Sequence, residues 1–309
     1  MGRKNTPVSI GEVNKFAFDD SDRTKGLFTD LHQESKKLEE DLHKMAADNQ
    51  DGSRFVARVF IGQGVDVVPT AGIQPSWKRG VTISREVVIP VNKGGIGAML
   101  YFGGNTKSRT SSSETIKAEE ALLANAMEKP RGSSAPLPDG YVVKVLKRRP
   151  SNRDLDDLVE LYKGSFTKYI TPFTRKSLRK MANGNIVVVA RNSKGKIVSV
   201  CQAEVAPLWI DGKKFNLVEL SDIATHMDFG GMGLAHLCTE MAIKKVRRRV
   251  RTIIYAETRA NFWATLRLFL GLGFNPVGRL DKHCVMDSKS KTLAQKGELA
   301  NIVVFHLPG

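Results

Sequence analysis

The stretch VELSDIATHMDFGGMGLA, residues 218–235, decides how this chain is read. It opens as a strand pattern, breaks at His226, and then crowds Gly230, Gly231 and Gly233 around Met232. The segment LAHLCTEMAIKKV follows with helical spacing. A strand that feeds a helix leaves the first N–H groups of that helix without intrahelical partners, at the positive end of its dipole. Glycines at such a junction let an anion approach the backbone. Two readings stand. In one, the amides of Gly231, Met232, Gly233, Leu234 and Ala235 cradle a phosphate; in the other, the glycines only serve a tight turn that needs positive φ. No Gly-Lys-Ser/Thr follows, so this is not a Walker loop, and the spacing is not G-x-G-x-x-G.

Composition narrows the setting. The 309 residues suggest one large or two ordinary domains, and 41% hydrophobic with 26% charged residues supports a sizeable core. The net charge of +16 favours polyanionic or acidic partners, nucleic acid among them, or a multiply phosphorylated cofactor, although it also serves solubility. Cys201, Cys238 and Cys284 are widely spaced, which fits a reducing compartment without a disulfide framework. The N-terminal residues lack the apolar core of a signal peptide, and no apolar run is long enough to span a membrane. The expected location is cytoplasmic. No His or Cys spacing suggests a metal site.

Outward from the glycines, the periodicity predicts an amphipathic helix over LFTDLHQESKKLEEDLHKMA, then strands over RFVARVFI, VTISREVVIPV and IGAMLYFG, and a helix over IKAEEALLANAMEK. Residues 130–140, PRGSSAPLPDG, read as a linker between an N-terminal α/β region (1–129) and a second domain (141–309). The second domain reads as a strand, a helix capped by Ser151 or Asn152, a second short helix over RKSLRKMA, a hairpin around a Lys-Gly turn, the strand FNLVELSDIAT and the glycine-started helix. A strand, a helix over NFWATLRLFLGLGF and a last strand LANIVVFHL follow. This order is a mixed α/β layer fold and not a repeat of βαβ units. The run KKVRRRVR, 244–251, reads as a solvated basic helix end, or as a group that reaches a CoA phosphate or an RNA backbone.

The glycine stretch resembles the acetyl-CoA pyrophosphate loop of the GNAT superfamily of N-acyltransferases. That motif, Q/R-x-x-G-x-G/A after the fourth strand, falls on Gly230-Gly231-Met232-Gly233-Leu234-Ala235, with Gly230 in place of the leading Gln or Arg. The segment LFLGLGF (268–274) is similar to the superfamily's helix ending in Gly-Phe, with Phe269 where a Tyr often sits. Within the superfamily, residues 141–309 look most like the β-lysine N-acetyltransferase family. ELSDIAT (219–225), TRA (258–260), GRL (278–280) and ELANIVVF (298–305) carry that likeness, while Thr265-Leu266 and Lys282-His283 depart from it. The first half, around SREVVIPVNKGGIGAMLYFGGNTKSR, is faintly similar to the family's N-terminal portion, which would make it a degenerate GNAT-like half.

The resemblance implies a mixed, mostly antiparallel sheet flanked by helices. It implies metal-free, direct acetyl transfer from acetyl-CoA to a primary amine, with a small amino acid such as β-lysine as the acceptor. It places cofactor contacts at Ile223, Ala224 and Thr225, at Gly230, Gly231, Met232, Gly233, Leu234 and Ala235, and at Phe269. Acceptor contacts fall to Arg259, His283 and Asn301. Glu219, or Asp222 in second place, would take the amine proton, the two being on opposite faces of the strand by its period of two. Tyr255 is one substitute for the missing tyrosine as proton donor, beside His283, Cys284 or a water. Other readings remain: a macromolecular amine as acceptor, or a non-catalytic CoA- or nucleic-acid-binding module. A homodimer is left open.

Overall fold

A computed structural model describes residues 23–32, 54–63, 82–105, 110–129, 136–168, 172–210, 212–285, 287–288 and 299–309. The N-terminal strands are β1 (Arg23–His32), β2 (Arg54–Gly62), β3 (Thr82–Lys93) and β4 (Ile96–Asn105), followed by helix α1 (Ser113–Glu128). Then come β5 (Val142–Val145), α2 (Asn152–Ser165), β6 (Phe166–Lys168), α3 (Arg175–Gly184), β7 (Ile186–Arg191), β8 (Ile197–Ile210) and β9 (Lys213–Thr225). A short 3-10 turn (Met227–Phe229) leads to α4 (Leu234–Val246), β10 (Thr252–Arg259), α5 (Trp263–Gly271), β11 (Asn275–Val285), β12 (Asp287–Ser288) and β13 (Leu299–Leu307).

Among the described residues, eleven strands form one sheet in the order β1-β2-β4-β3-β11-β13-β10-β9-β8-β7-β5, and β6 pairs with β12 apart from it. Only β1/β2 and β9/β10 are parallel within it. The fold is thus mixed α/β with a mostly antiparallel sheet flanked by helices, as the sequence implies. The β9–α4–β10 crossover is the connection a parallel pair requires.

Local chemistry explains most boundaries. Ser151 and Asp154 form a reciprocal capping box at the start of α2, and Thr174 with Ser177 does the same for α3. The β7–β8 turn is closed by Gly195 at φ 76°, a backbone angle glycine adopts without strain.

The segment expected to be helical from Leu27 begins as strand instead. Arg23–His32 runs parallel to β2, so pairing overrides a weak helical spacing; the remainder of that expected helix lies outside the described residues. The sequence reading also lacked β11, whose Pro276, Gly278 and charged Arg279, Asp281 and Lys282 hide its pattern. Its ladder to β13 slips twice, and Lys282 sits at φ 38°.

The sheet separates two sets of apolar layers. On one face α1, α4 and α5 cover it, with Leu234, Cys238, Ala242, Leu266 and Phe269 against Val188, Val218, Leu220, Ala256 and Phe305. On the other face α2 and α3 cover the β7–β8 end. The N-terminal strands fold over the rest of that face, where Phe60, Ile89 and Met99 meet Leu217, Ile302 and Val304. The two strand groups join where β3 pairs with β11 at Val87 and Gly278. A Cβ on Gly278 would collide with Glu86 O and Val87, so only glycine permits that approach. Helix α1 is tied to the helix face by Arg267 Nη1 donating to Ala126 O at 2.7 Å and by an Arg279–Glu119 ion pair at 2.6 Å.

Candidate active site

The site begins where two strands part. β9 and β10 pair only over residues 216–219 and 252–255, although both continue further. Glu219 and Tyr255 are the last partners, and beyond them the strands diverge. β9 also carries a bulge. Its register against β8 slips between Ser221, opposite Gln202, and Ala224, opposite Val200, and Asp222 takes a left-handed φ of 48°. A bulge bends its strand and ends strict alternation. The period-two argument that set Glu219 and Asp222 on opposite faces therefore fails beyond Ser221. Tyr162 of α2 donates to the Asp222 carbonyl at 3.1 Å and holds the bulge from below.

A cavity of about 970 Å³ opens in this gap. Its walls are Ile223, Ala224 and Thr225 at the end of β9, the loop glycines Gly230, Gly231 and Gly233, and Leu234, Ala235 and His236 in the first turn of α4. Arg259, Phe262, Thr265 and Arg267 close the α5 side, and Phe166 closes the α2 side. Gly231 and Gly233 lie at φ 76° and 72°. A Cβ on Gly231 would meet nothing within 4 Å, so the backbone there is open. Gly233 is the N-cap and offers no side chain, and the first intrahelical bond runs from Leu237 N to Gly233 O. The amides of Leu234, Ala235 and His236 are thus without helical acceptors at the cavity wall. Positive φ at Gly231 and Gly233 meets the needs of the turn, and the same junction leaves first-turn amides open at the cavity wall.

Other expected residues fall elsewhere. Met232 packs against the helix-face core and accepts a contact from Tyr141 OH at 3.9 Å. Phe269, expected at the cofactor, is 2% exposed, stacks on Phe305 and meets Phe274 edge-on, while its neighbour Leu268 reaches the cavity. Helical geometry turns adjacent residues about 100° apart, which places Phe269 toward the sheet. Asn301 is buried and donates to Glu119 of α1 at 2.9 Å, and its Oδ1 accepts from Ser111 and from Lys282 N, so it ties α1 to β13 and β11. His283 is buried with Nε2 3.8 Å from Glu257 Oε2. Of the three residues assigned to the acceptor, Arg259 alone lines the cavity, its guanidinium 4.7 Å over the Phe262 ring.

Glu219, Asp222 and Tyr255 are not among the cavity's lining residues, but Glu219 stands at the fork from which it opens. Tyr255 OH donates to Glu219 Oε2 at 2.7 Å and accepts from Arg58 Nη1 at 2.8 Å. Arg58 also donates to Glu257 Oε1 at 2.8 Å, and Tyr101 OH reaches the same oxygen at 3.3 Å. Burial opposes the Arg58 charge, yet the Tyr101, Tyr255, Glu257 and Glu219 side chains outweigh it and hold the guanidinium well above its ordinary pKa. Burial raises Tyr255 well above the usual phenol range; Arg58 pulls it back, and Glu219, Tyr101 and Glu257 add to the rise. The phenol is thus favoured in its protonated form, with its hydrogen directed at Glu219. This network, with Arg58 and Tyr101 from the N-terminal strands, had no signal in the sequence beyond the residue types.

His226 and His236 flank the loop at the cavity. Burial lowers the His236 pKa, opposed by Glu240, so its imidazole is neutral near pH 7. Among the described residues no group of three or more His, Cys, Asp or Glu could hold a metal ion, and no helix is long and apolar enough to cross a membrane.

No family model matches the chain, and no curated protein matches it in sequence. Solved structures of acetyltransferases are similar to it. A ribosomal-protein alanine N-acetyltransferase from Escherichia coli is 17% identical, with 54% of this chain and 93% of that chain covered and a TM-score of 0.42. The NatC complex bound to Gag peptide and CoA is 17% identical over 55% of this chain and 98% of that chain, with a TM-score of 0.44. An acetyltransferase of the GNAT family from Streptococcus pneumoniae is 15% identical, covering 54% and 98%, with a TM-score of 0.41. Each is something this chain resembles.

Proposed function

We propose that the protein is an acetyl-CoA-dependent N-acetyltransferase that transfers acetyl directly to a primary amine. The observation that carries this is the strand fork with an open glycine loop at its mouth: diverging β9 and β10, a 970 Å³ cavity between them, and uncapped α4 amides on its wall. The residues fit the cofactor. Gly231 leaves room for phosphate oxygens against the backbone, and the amides of Leu234, Ala235 and His236 supply donors at the positive end of α4. The end of β9 (Ile223, Ala224, Thr225) would pair with an extended pantetheine-like chain through its backbone. When bound, the thioester supplies the electrophilic carbonyl and the thiol leaving group.

Glu219 is the proposed proton acceptor for the amine. Its position at the fork, with one oxygen held by Tyr255, fixes the carboxylate beside the place where the strands open. Tyr255 and Arg58 act here as positioning groups. The acceptor is proposed to be a small amine of the β-lysine type, as the sequence resemblance implies, with an amine on a macromolecule as the second reading. The test is thiol release from acetyl-CoA with a panel of diamines, amino acids and peptides. Amine-dependent release with an acetylated product supports the reading; acetyl-CoA binding without turnover on any amine would replace it with a CoA-binding module.

A further inference from the structure

Helix α4 has 13 residues, roughly 20 Å at 1.5 Å per residue. Its basic end is therefore a full helix length from the glycine loop, and the cations there are remote from a phosphate held at the N-terminus. Other segments converge on that far end. Lys213 Nζ donates to Gly94 O in the β3–β4 turn at 2.9 Å, and Arg251 lies beside the same glycine. Asn216 of β9 donates through its side chain to Val250 O at 2.8 Å and through its backbone to Arg251 O at 3.0 Å. Arg247 reaches Pro308 O, after β13, at 3.2 Å. Trp209 of β8 is the cross-strand partner of Lys214.

Among the described residues the side-chain charge at this end has one sign. Residues 89–97, 212–217 and 244–254 carry Lys93, Lys213, Lys214, Lys244, Lys245, Arg247, Arg248, Arg249 and Arg251, and neither they nor residues 206–210 and 303–309 hold an aspartate or glutamate. Asp211, between β8 and β9, lies outside the described residues. Among the cations sit two exposed apolar side chains, Trp209 at 58% and Val250 at 69%. Leu208 and Ile210 turn toward the core under the N-terminal strands. Alternation then points Trp209 to the other face, the one on which α4 packs. An exposed indole with Lys214 as its cross-strand neighbour, at a sheet end that also gathers Lys213, Arg248, Arg249 and Arg251, suits a flexible polyanion that carries its own stacking surfaces. A lipid surface would call for a wider apolar face, and a duplex keeps its bases stacked inside.

We propose that this end of the sheet is a docking surface for single-stranded nucleic acid, with Lys213, Lys214, Arg248, Arg249 and Arg251 on the phosphates and Trp209 as the platform for a base. The surface is independent of the cavity, so it stands whether or not the protein transfers acetyl groups.

The test is fluorescence anisotropy with a labelled oligouridylate at two salt concentrations. Each neutralised phosphate of a single strand contributes a slope of about 0.7 in log affinity against log salt. Five contacts then predict roughly a hundredfold loss between ~50 and ~200 mM salt. Lys213→Ala with Lys214→Ala, and Arg248→Ala with Arg249→Ala, should each weaken binding about tenfold or more and flatten the slope. Trp209→Ala should weaken it about tenfold and leave the slope unchanged. The control removes equal charge elsewhere, with Lys176→Ala and Lys180→Ala on exposed positions of α3, and should change affinity little. Acetyl-CoA binding and circular dichroism verify that each variant is folded. Equal weakening by the α3 control, indifference to Trp209→Ala, equal affinity for duplex, or binding to anionic vesicles in place of RNA would each overturn the proposal.

Discussion

The two ends of helix α4 face opposite chemical tasks. Its first turn has no side-chain cap and opens on a cavity, with glycines at positive φ leaving the amides accessible. Its last turn and the residues after it carry Lys244, Lys245 and four arginines, with Glu240 pairing Lys244 at 2.9 Å. Donor amides at one end face a concave cavity; exposed cationic side chains gather at the other. The helix dipole favours both placements, anion at the N-terminus and cation at the C-terminus, so the contrast stabilises the helix and partitions its surface. Between them, Leu234, Cys238, Ala242 and Val246 bury one stripe against β7, β8 and β9.

The sharpest way to break the comparison is at Gly233. Gly233→Val forces a β-branched residue into a left-handed angle of 72° and crowds the loop. Acetyl-CoA affinity measured by calorimetry should fall by about 100-fold or more. The double substitution at Arg248 and Arg249 should leave it unchanged. Loss at both ends would mean that α4 responds as a whole and that its ends are not separate sites.

A comparable effect is expected at the fork. Glu219→Gln keeps shape and removes proton acceptance, so turnover should drop about 100-fold near neutral pH and recover partly as rising pH supplies free amine. If Asp222→Asn gives that profile and Glu219→Gln does not, the proton leaves through the bulge and not through the fork.

The basic end has its own pH signature. His306 is held down to about 4, first by burial and then by Lys93. Unfolded, its imidazole takes a proton near 6.5. The unfolded state therefore binds more protons between those values. Stability is complete above about pH 6.5 and declines as the pH falls toward 4, by up to about 3 kcal/mol. Urea midpoints across that range measure it, and His306→Gln should flatten the decline.

The smallest effect concerns the middle of the helix. Burial pushes the thiols of Cys238 in α4 and Cys201 beneath it up to about 12. Native protein should react negligibly with a disulfide reagent at pH 8 over the time of a thiol-release assay, and fully after denaturation. Fast native labelling would show that α4 lifts from the sheet.

What could be read from the sequence was what short-range chemistry writes. The glycine loop, the Ser151 cap and the Lys-Gly hairpin turn are each specified by neighbours within a few positions, and each lies where the pattern put it. The bulge at Asp222 has no Gly or Pro to announce it; it is set by Tyr162 and by the slip against β8. The fate of Phe269 depended on which side of α5 meets Phe305. Strand β1 was missed because the partner that makes it a strand, β2, lies beyond any local window. Of the assigned acceptor residues, Asn301 and His283 carry polar types that suit a pocket as well as a buried network, and type alone does not separate those uses.

The reach of Arg58 has a consequence in time. Its bonds to Tyr255 and Glu257 join residues 197 and 199 positions apart. At about 5–20 residues per second of synthesis, β10 follows β2 by roughly 10–40 s. Through that interval the guanidinium waits without these partners, and β3 waits for the glycine of β11 that alone fits against it. A nascent chain in that state exposes an unpaired strand edge, which is a template for pairing with other chains. The late arrival of the last strands should thus make yield in the cell depend more on chaperone supply and growth temperature than on the stability of the finished molecule.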